Sequence, residues 1–132
     1  MTKSFTVQTT QKNDLIDITR QVRTAVEEAG IEEGIVYVFI PHTTAGVTIN
    51  ENADPDVLHD ILLGLDKAYP EQTAFCHYEG NSVAHLKASA MGATCTVMLE
   101  NGRLLLGVWQ DIYFCEFDGP RQRSFIVKVV AG

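Results

Sequence analysis

The alternation of apolar and polar positions predicts that much of the chain forms short strands. Residues 35–40 are an uninterrupted apolar run, which is typical of a buried strand. Apolar residues alternate with polar ones from Phe5 to about Thr10, which indicates an opening strand. Another short strand is expected at residues 47–50, after a polar loop.

Three other segments have the three-to-four-residue spacing of amphipathic helices. The first is predicted over about residues 13–29, with Gly30 as its stop. The second begins at Pro55, because Asp54 can cap it and proline suits a first turn. The third spans about residues 82–91. The apolar faces of the last two are Val57, Leu58, Ile61, Leu62 and Leu65, and Val83, Leu86 and Ala90, respectively.

The C-terminal third is rich in predicted strands. Apolar runs at 94–99 and 103–109 flank Asn101-Gly102, and an Asn-Gly pair between such runs is a strong hairpin signal. A turn at 118–121 and a closing strand at 124–130 follow. Strands outnumber helices and hairpins outnumber crossovers. The sequence therefore predicts an α+β fold, a mainly antiparallel sheet of sandwich or barrel type with two to three helices packed on it.

Length and composition indicate one compact domain over residues 1–132, with 45% hydrophobic residues to form its core. No apolar run is long enough to span a membrane, and no secretion signal is recognisable at the N-terminus. The three cysteines, Cys76, Cys95 and Cys115, share no CxxC spacing. We expect all three to be buried, reduced thiols in a cytoplasmic protein. The net charge of −7 disfavours nucleic-acid binding, which needs clustered basic residues.

Three of the four histidines lie in polar segments. His42 follows the strand at 35–40, while His77 and His85 flank a Gly-Asn turn, with Glu79 close to His77 in sequence. His59 points away from the apolar stripe of its helix and is expected to be solvated. The other three imidazoles and Glu79 could form one cluster. Such a cluster could bind zinc or a similar ion, or transfer protons without a metal. The alternative is that each histidine is hydrogen-bonded separately for structure.

A second group of residues has the chemistry of an anion site. The hydroxyls of Thr43, Thr44 and Thr48 and the amides around Gly46 could surround a phosphate, which Arg121 or Arg123 could clamp. A surface ion pair is the alternative role for Arg121. No Walker or Rossmann glycine pattern is present, so no nucleotide cofactor of those classes is expected.

Polar residues also interrupt the apolar C-terminal region. Gln110 and Asp111 follow Trp109 directly, and a buried amide or carboxylate must be paired. These two residues are therefore expected to line a cavity or an interface.

Several motifs resemble those of the YjbQ family, and they occur in the same order over nearly the whole chain. They are His42-Thr43-Thr44-Ala45, Asn50-Glu51-Asn52, Asp54-Pro55-Asp56, Glu79-Gly80-Asn81, His85 with Lys87-Ala88-Ser89, Gly107-Val108-Trp109-Gln110, and Phe117-Asp118-Gly119-Pro120-Arg121. The resemblance implies an α+β fold that assembles as a homotrimer. It also implies a weak thiamine-phosphate synthase activity, which joins a pyrimidine diphosphate to a thiazole phosphate and releases pyrophosphate.

The resemblance further implies a polar cleft that holds a phosphorylated small molecule. Its expected metal ligands are His42, His77 and His85; its expected catalytic residues are His85, Glu79, Glu51 and Asn81; and its expected substrate-binding residues are Thr43, Thr44, Asn50, Gln110 and Arg121. Carboxylates such as Glu51 and Glu79 would suit magnesium, whereas the histidines would suit zinc. A metal-dependent hydrolase or phosphatase explains the residues about as well, and a non-catalytic trimer that binds a small anion is the third hypothesis.

Overall fold

The structure, a computed structural model, describes residues 2–132. Eight strands and three helices lie within these residues. In chain order they are β1 (Thr2–Gln8), β2 (Asp14–Asp17), α1 (Thr19–Ala29), β3 (Gly34–Phe39), β4 (Ala45–Glu51), α2 (Pro55–Ala68), α3 (Ser82–Met91), β5 (Thr94–Glu100), β6 (Arg103–Leu104), β7 (Gln110–Glu116) and β8 (Gln122–Ala131).

The strands form two antiparallel sheets that face each other across the main core. One has the strand order β1-β8-β3-β5-β6 and the other has the order β2-β7-β4. In β3 alternate residues are buried and exposed, so Val36 and Val38 face inwards. They pack in one cluster with Val47 and Phe114 of the smaller sheet and Val22 of α1. The prediction of an α+β fold with a mainly antiparallel sheet is confirmed.

Helices α2 and α3 pack on the other side of the smaller sheet and form a second apolar cluster. Its buried members are Leu15, Ala84, Ala88, Tyr113, Cys115 and Phe117. Asp54 caps α2, since its carboxylate accepts a hydrogen bond from the Asp56 amide, as the sequence predicts. The predicted stripe of α2 is only partly buried. Within residues 2–132 no helix is long and apolar enough to cross a membrane.

The predicted first helix is wrong at its start, because residues 14–17 form β2. Leu15 packs in the second cluster, whereas Ile16 packs against the main core. A strand lying between two cores needs apolar residues on both faces, and such a pattern also resembles the beginning of an amphipathic helix. The helix begins at Thr19, whose amide donates to the Asp17 carboxylate.

The predicted apolar face of α3 is also wrong. Ala84, Lys87 and Ala88 are its buried residues, while Leu86 is exposed. Alanines let the helix approach the sheet closely, and a lysine can bury its aliphatic stem when its ammonium has partners. The Lys87 ammonium donates to Asp66 and to the Asn13 side chain.

The Asn101-Gly102 hairpin is confirmed, and both residues have the positive φ angles that this turn requires. The strand predicted over 103–109 is wrong beyond Leu104, because residues 107–110 form a turn in which the Gln110 amide donates to the Gly107 carbonyl. The prediction that every cysteine is buried is wrong for Cys76, which is exposed, and correct for Cys115.

Candidate functional site

A polar cleft opens where β3 ends and β8 begins. We call it the basic cleft. It encloses about 570 Å³, a volume that suits a small metabolite. Two segments that are far apart in sequence form its walls. The loop at 40–44 is the first wall, and the turn at 118–121 with the residues that follow it is the second wall. Its lining residues are Phe39, Ile40, Pro41, His42, Thr43, Thr44, Ala93, Arg121 and Arg123.

His42 is held at the edge of β8 by main-chain hydrogen bonds. The Ser124 amide donates to His42 Nε2 over 3.0 Å, and the Ser124 carbonyl lies 3.1 Å from the same nitrogen. The β3–β8 ladder ends at Phe39, which pairs with Ile126. The imidazole therefore takes the place of a main-chain partner beyond the end of β3, and Nδ1 is the ring nitrogen that Ser124 does not engage.

The surroundings of His42 favour its neutral form. Burial lowers the pKa of its imidazole, and the positive charge of Arg123 lowers it further, although the hydrogen bond with Ser124 acts in the opposite direction. Nε2 lies within hydrogen-bond distance of both main-chain groups of Ser124. A neutral ring that accepts from the amide carries its proton on Nδ1, and one that donates to the carbonyl carries it on Nε2. In the first form His42 can donate a hydrogen bond from Nδ1 to an anion in the cleft.

Arg121 is fixed by a short chain of polar contacts, yet its side chain is half exposed. Its Nε donates to the Asp118 carbonyl at 2.9 Å, and Nη2 donates to the Asp118 carboxylate at 3.1 Å. The same carboxylate oxygen accepts from Asn81 Nδ2 at 2.9 Å. Asn81 is thus linked to the basic cleft through Asp118, and its own Oδ1 is buried without a hydrogen-bond partner among the described residues.

Beneath the cleft lies a buried ion pair between Arg123 and Glu116. Arg123 Nη2 also donates to the Thr44 hydroxyl at 2.8 Å, and Thr44 is itself buried. Burial acts to raise the pKa of Glu116, but the hydrogen bonds from Arg123, Thr9 and the Asp118 amide lower it overall. The pair is therefore ionised. Thr43 and Thr44 both line the cleft, and Thr44 also belongs to this buried network.

A second group of predicted site residues meets on an open surface next to α3. The rings of His77 and His85 lie 5.5 Å apart between centroids and are nearly perpendicular. His77 Nε2 is 3.8 Å from a carboxylate oxygen of Glu79. The two histidines share an open, mostly apolar hollow with Phe75, Ser82 and Leu86. We call this group the histidine hollow.

The three predicted metal ligands do not meet in one place. His42 lies in the basic cleft, while His77 and His85 lie in the histidine hollow. Residues 2–132 contain no group of three or more histidine, cysteine, aspartate or glutamate side chains placed to hold a metal ion. One chain by itself therefore does not fit a zinc or magnesium site made from the predicted ligands.

The remaining predicted residues lie at the far end of β4 and β7. Asn50, Glu51 and Gln110 belong to these strands, and Glu51 pairs with Gln110. Glu51 accepts from the amides of Ala53 and Asp54, so it organises the start of α2. Asn50 and Gln110 likewise accept main-chain hydrogen bonds, from Glu51 and Gly107. The basic cleft adjoins the opposite end of β4, which is about 20 Å long for seven residues.

Asp111 has a partner that the sequence pattern did not indicate. Burial and a hydrogen bond with Asp17 raise the pKa of Asp111. Burial also acts to raise the pKa of Asp17, but hydrogen bonds with Asp111 and Thr19 lower it overall. Two carboxylates that share a hydrogen bond hold a proton between them more readily than either alone.

Sequence reasoning missed Glu116 and Asp118 as residues that form the site, and it missed Lys87 as a buried charge. Glu116 ends an apolar run and Lys87 lies in an apolar helix, and a lone charged residue in such surroundings is the signal that would have singled them out. Their partners, Thr9 and Asp66 among them, are far away in sequence, so the spacing of motifs does not reveal them.

Comparisons with known proteins place the chain among relatives of the same length. The sequence model of the UPF0047 protein YjbQ-like family matches residues 3–132. The UPF0047 protein YugU of Bacillus subtilis is 52% identical over 131 residues, which cover 98% of this chain and 99% of the relative. A UPF0047 protein of Methanocaldococcus jannaschii is 47% identical over 126 residues, which cover 96% of this chain and 91% of the relative.

Solved structures agree with these matches. An uncharacterized conserved protein of the YjbQ/UPF0047 family from Clostridium acetobutylicum has a TM-score of 0.95 and 53% identity, with 97% of this chain and 99% of that chain covered. A hypothetical protein from Aeropyrum pernix has a TM-score of 0.94 and 34% identity, with 100% and 99% covered. The whole described fold is thus shared with these proteins.

Proposed function

Because this chain belongs to the UPF0047 YjbQ-like family, we propose that it is a small enzyme that binds a phosphorylated metabolite in the basic cleft. One observation carries the proposal: the walls of the cleft bring the half-exposed guanidinium of Arg121 and the imidazole of His42 to one volume of metabolite size. A guanidinium matches phosphate oxygens in charge and in geometry. The Thr43 hydroxyl adds a neutral donor at the same place.

The reaction we propose to test first is the formation of thiamine phosphate, which the resemblance to this family implies. Pyrophosphate must leave a pyrimidine methylene, and negative charge grows on the leaving group as the bond breaks. A fixed cation such as Arg121 stabilises that charge, since Asp118 already holds the guanidinium in place. This step uses the residues of the basic cleft.

Hydrolysis of a phosphorylated metabolite is the second candidate, and the histidine hollow favours it. His77 lies beside Glu79, whose carboxylate can orient the ring of a general base once the two approach from 3.8 Å to hydrogen-bond distance. His85 lies against the same ring. In this proposal one of the two imidazoles activates water.

Phosphate binding is the direct test of the proposal. Inorganic phosphate, titrated by calorimetry, should bind the wild type, and Arg121→Ala should weaken binding by about tenfold or more. Arg103→Ala is the matched control, because Arg103 is an exposed arginine on β6, away from the cleft. Equal binding by the wild type and Arg121→Ala would contradict the proposal.

Turnover separates an enzyme from a module that only binds. Release of pyrophosphate from the pyrimidine and thiazole substrates would support the transferase reaction, and phosphate release from phosphomonoesters would support hydrolysis. His85→Ala should abolish hydrolysis while the protein stays folded. Phosphate binding with no turnover of either kind would leave the third hypothesis, a non-catalytic anion-binding module.

We also propose that the chain assembles as a homotrimer in the cytoplasm. The outward face of the larger sheet carries exposed apolar residues, and a contiguous patch of this kind favours association. They are Ile35, Tyr37, Phe39, Met98 and Val130. Light scattering measures the number of chains in the assembled protein, and three chains would support the proposal. Elemental analysis of wild type and His42→Ala shows whether the assembled protein binds zinc or another ion that one chain does not fit.

A further inference from the structure

The buried pair of Glu116 and Arg123 lies at the floor of the basic cleft, where Arg123 is one of the lining residues. Glu116 is fully buried and Arg123 is 4% exposed. Burying two opposite charges costs about as much in lost hydration as their attraction returns, so apolar residues of similar volume often give equal stability. Stability alone is therefore a weak reason for an ion pair at this position, and its contacts point to another role.

Arg123 holds the first wall of the cleft. Its Nη2 donates to the Thr44 carbonyl at 3.3 Å and to the Thr44 hydroxyl at 2.8 Å. The Thr44 carbonyl also accepts from the Phe117 amide at 3.2 Å. Since Thr44 follows His42 and Thr43 directly, these bonds fix the segment that carries both cleft residues.

Glu116 and Thr9 hold the second wall. Glu116 Oε2 accepts from the amides of Phe117 and Asp118, each at 3.0 Å. Its Oε1 accepts from the Thr9 hydroxyl at 2.7 Å, and the same hydroxyl accepts from the Arg121 amide at 2.9 Å. The main chain on both sides of the turn at 118–121 is thus tied to one carboxylate.

We infer that Arg123 is a positioning residue for the basic cleft, because it joins both walls between which the anion binds. Arg123 Nε donates to both oxygens of Glu116, at 2.9 and 3.2 Å, while its Nη2 binds the Thr44 side. The planar fork of the guanidinium makes these bonds at the same time, and an ammonium group cannot reproduce that geometry. The inference rests on the proposed function, since it concerns the same cleft.

Arg123 also acts on the cleft through its charge. Burial and then the Arg123 charge lower the pKa of His42, which favours the neutral imidazole that can accept from the Ser124 amide. The two effects of Arg123, positioning through Thr44 and the charge effect on His42, can be separated by substitution. Arg123→Lys keeps the positive charge and loses the planar fork, whereas Arg123→Met loses both.

Calorimetric titration with inorganic phosphate tests the inference on Arg123→Lys, at a temperature where circular dichroism shows the variant to be folded. We expect affinity to fall about tenfold or more, because the walls separate once the fork is lost. Arg103→Lys is the matched control and should bind as the wild type does. A purely structural role for Arg123 predicts a lower melting temperature with wild-type phosphate affinity for the folded protein, and that result would overturn the inference.

If Arg123→Lys does not fold, Thr44→Val removes only the hydroxyl that accepts from Arg123. It should also weaken phosphate binding, and wild-type affinity in this variant would count against the inference. If the wild type binds no phosphate, the proposed function fails and amide chemical shifts decide the inference separately. Amide shifts at residues 42–44 and at Gly119 and Arg121 that move together in either variant support positioning, and unmoved shifts overturn it.

Discussion

The basic cleft and the histidine hollow contain similar chemical groups but differ in what holds those groups in place. Beneath the cleft, Glu116 and Arg123 are buried and form hydrogen bonds to several parts of the chain. In the hollow, His77 and Glu79 are 3.8 Å apart, and the Glu79 side chain is 57% exposed. The groups of the cleft are therefore held in fixed positions, whereas the hollow can change its geometry at little cost.

Because the two regions differ in this way, loss of a carboxylate should lower the stability of the protein far more in the cleft than in the hollow. The loss in the cleft is the largest effect we expect. Glu116→Ala leaves Arg123 buried without its counter-ion, and such a change costs about 3–5 kcal/mol of unfolding free energy. Glu79→Ala removes an exposed carboxylate and should change stability by less than about 1 kcal/mol. Urea unfolding of both variants measures the contrast. Similar losses would show that the two regions are held equally.

Gly119 provides a second test of how closely the cleft is packed. A Cβ at this position would lie 2.2 Å from the Gln11 carbonyl oxygen and 2.8 Å from the Thr9 hydroxyl oxygen. Gly119→Ala should therefore cost about 1–3 kcal/mol, because main chain has to move. Gly80→Ala, at the turn before α3, meets no atom within 4 Å and is strained only by its positive φ. Equal unfolding midpoints for Gly119→Ala and the wild type would contradict the prediction.

The proton affinity of His42 predicts a smaller effect. Its pKa is lowered in the folded protein, so the unfolded chain binds a proton more readily. Stability should thus fall as pH drops below the ordinary histidine value of about 6.5. His42→Gln has no imidazole to titrate and should lose this part of the slope. Unfolding free energies at pH 7 and pH 5 measure it, and an unchanged slope in His42→Gln would assign the dependence to other groups.

The smallest expected effect belongs to the hollow. His85 contacts His77 through its ring and lies on an open surface, so His85→Ala should change the unfolding free energy by less than about 1 kcal/mol. Phosphate affinity in the basic cleft should also stay at its wild-type value. A large loss of stability would show that His85 serves mainly to hold the fold.

Local signals predicted the elements whose cause is local. The apolar run at 35–40 became β3, Asn101-Gly102 formed its hairpin, and Asp54 caps α2. The proximity of His77 to His85 could be anticipated as well, because only eight residues separate them. β2 was missed because its two faces meet two different cores, which only the tertiary arrangement reveals.

The hydrogen bonds that hold the walls of the cleft could not be predicted from the sequence. Thr9 and Glu116 are separated by 107 positions, and Arg123 reaches Thr44 across 79. No periodicity or motif connects residues so far apart. Arg121 was a candidate because an arginine can clamp a phosphate, but Glu116 was hidden at the end of an apolar strand. Sequence reasoning thus named residues that line the cleft, Thr44 and Arg123 among them, and missed the acidic residues Glu116 and Asp118 that hold them.

The imidazole of His42 also protects an edge of the larger sheet. Beyond Phe39 the β3 strand no longer covers β8, and the Ser124 peptide group would present a free donor and acceptor to another chain. Exposed peptide groups of this kind are templates for strand addition and aggregation. By occupying them with a side chain, His42 ends the sheet without a further strand. Any engineered change at this position must therefore consider solubility as well as ligand binding.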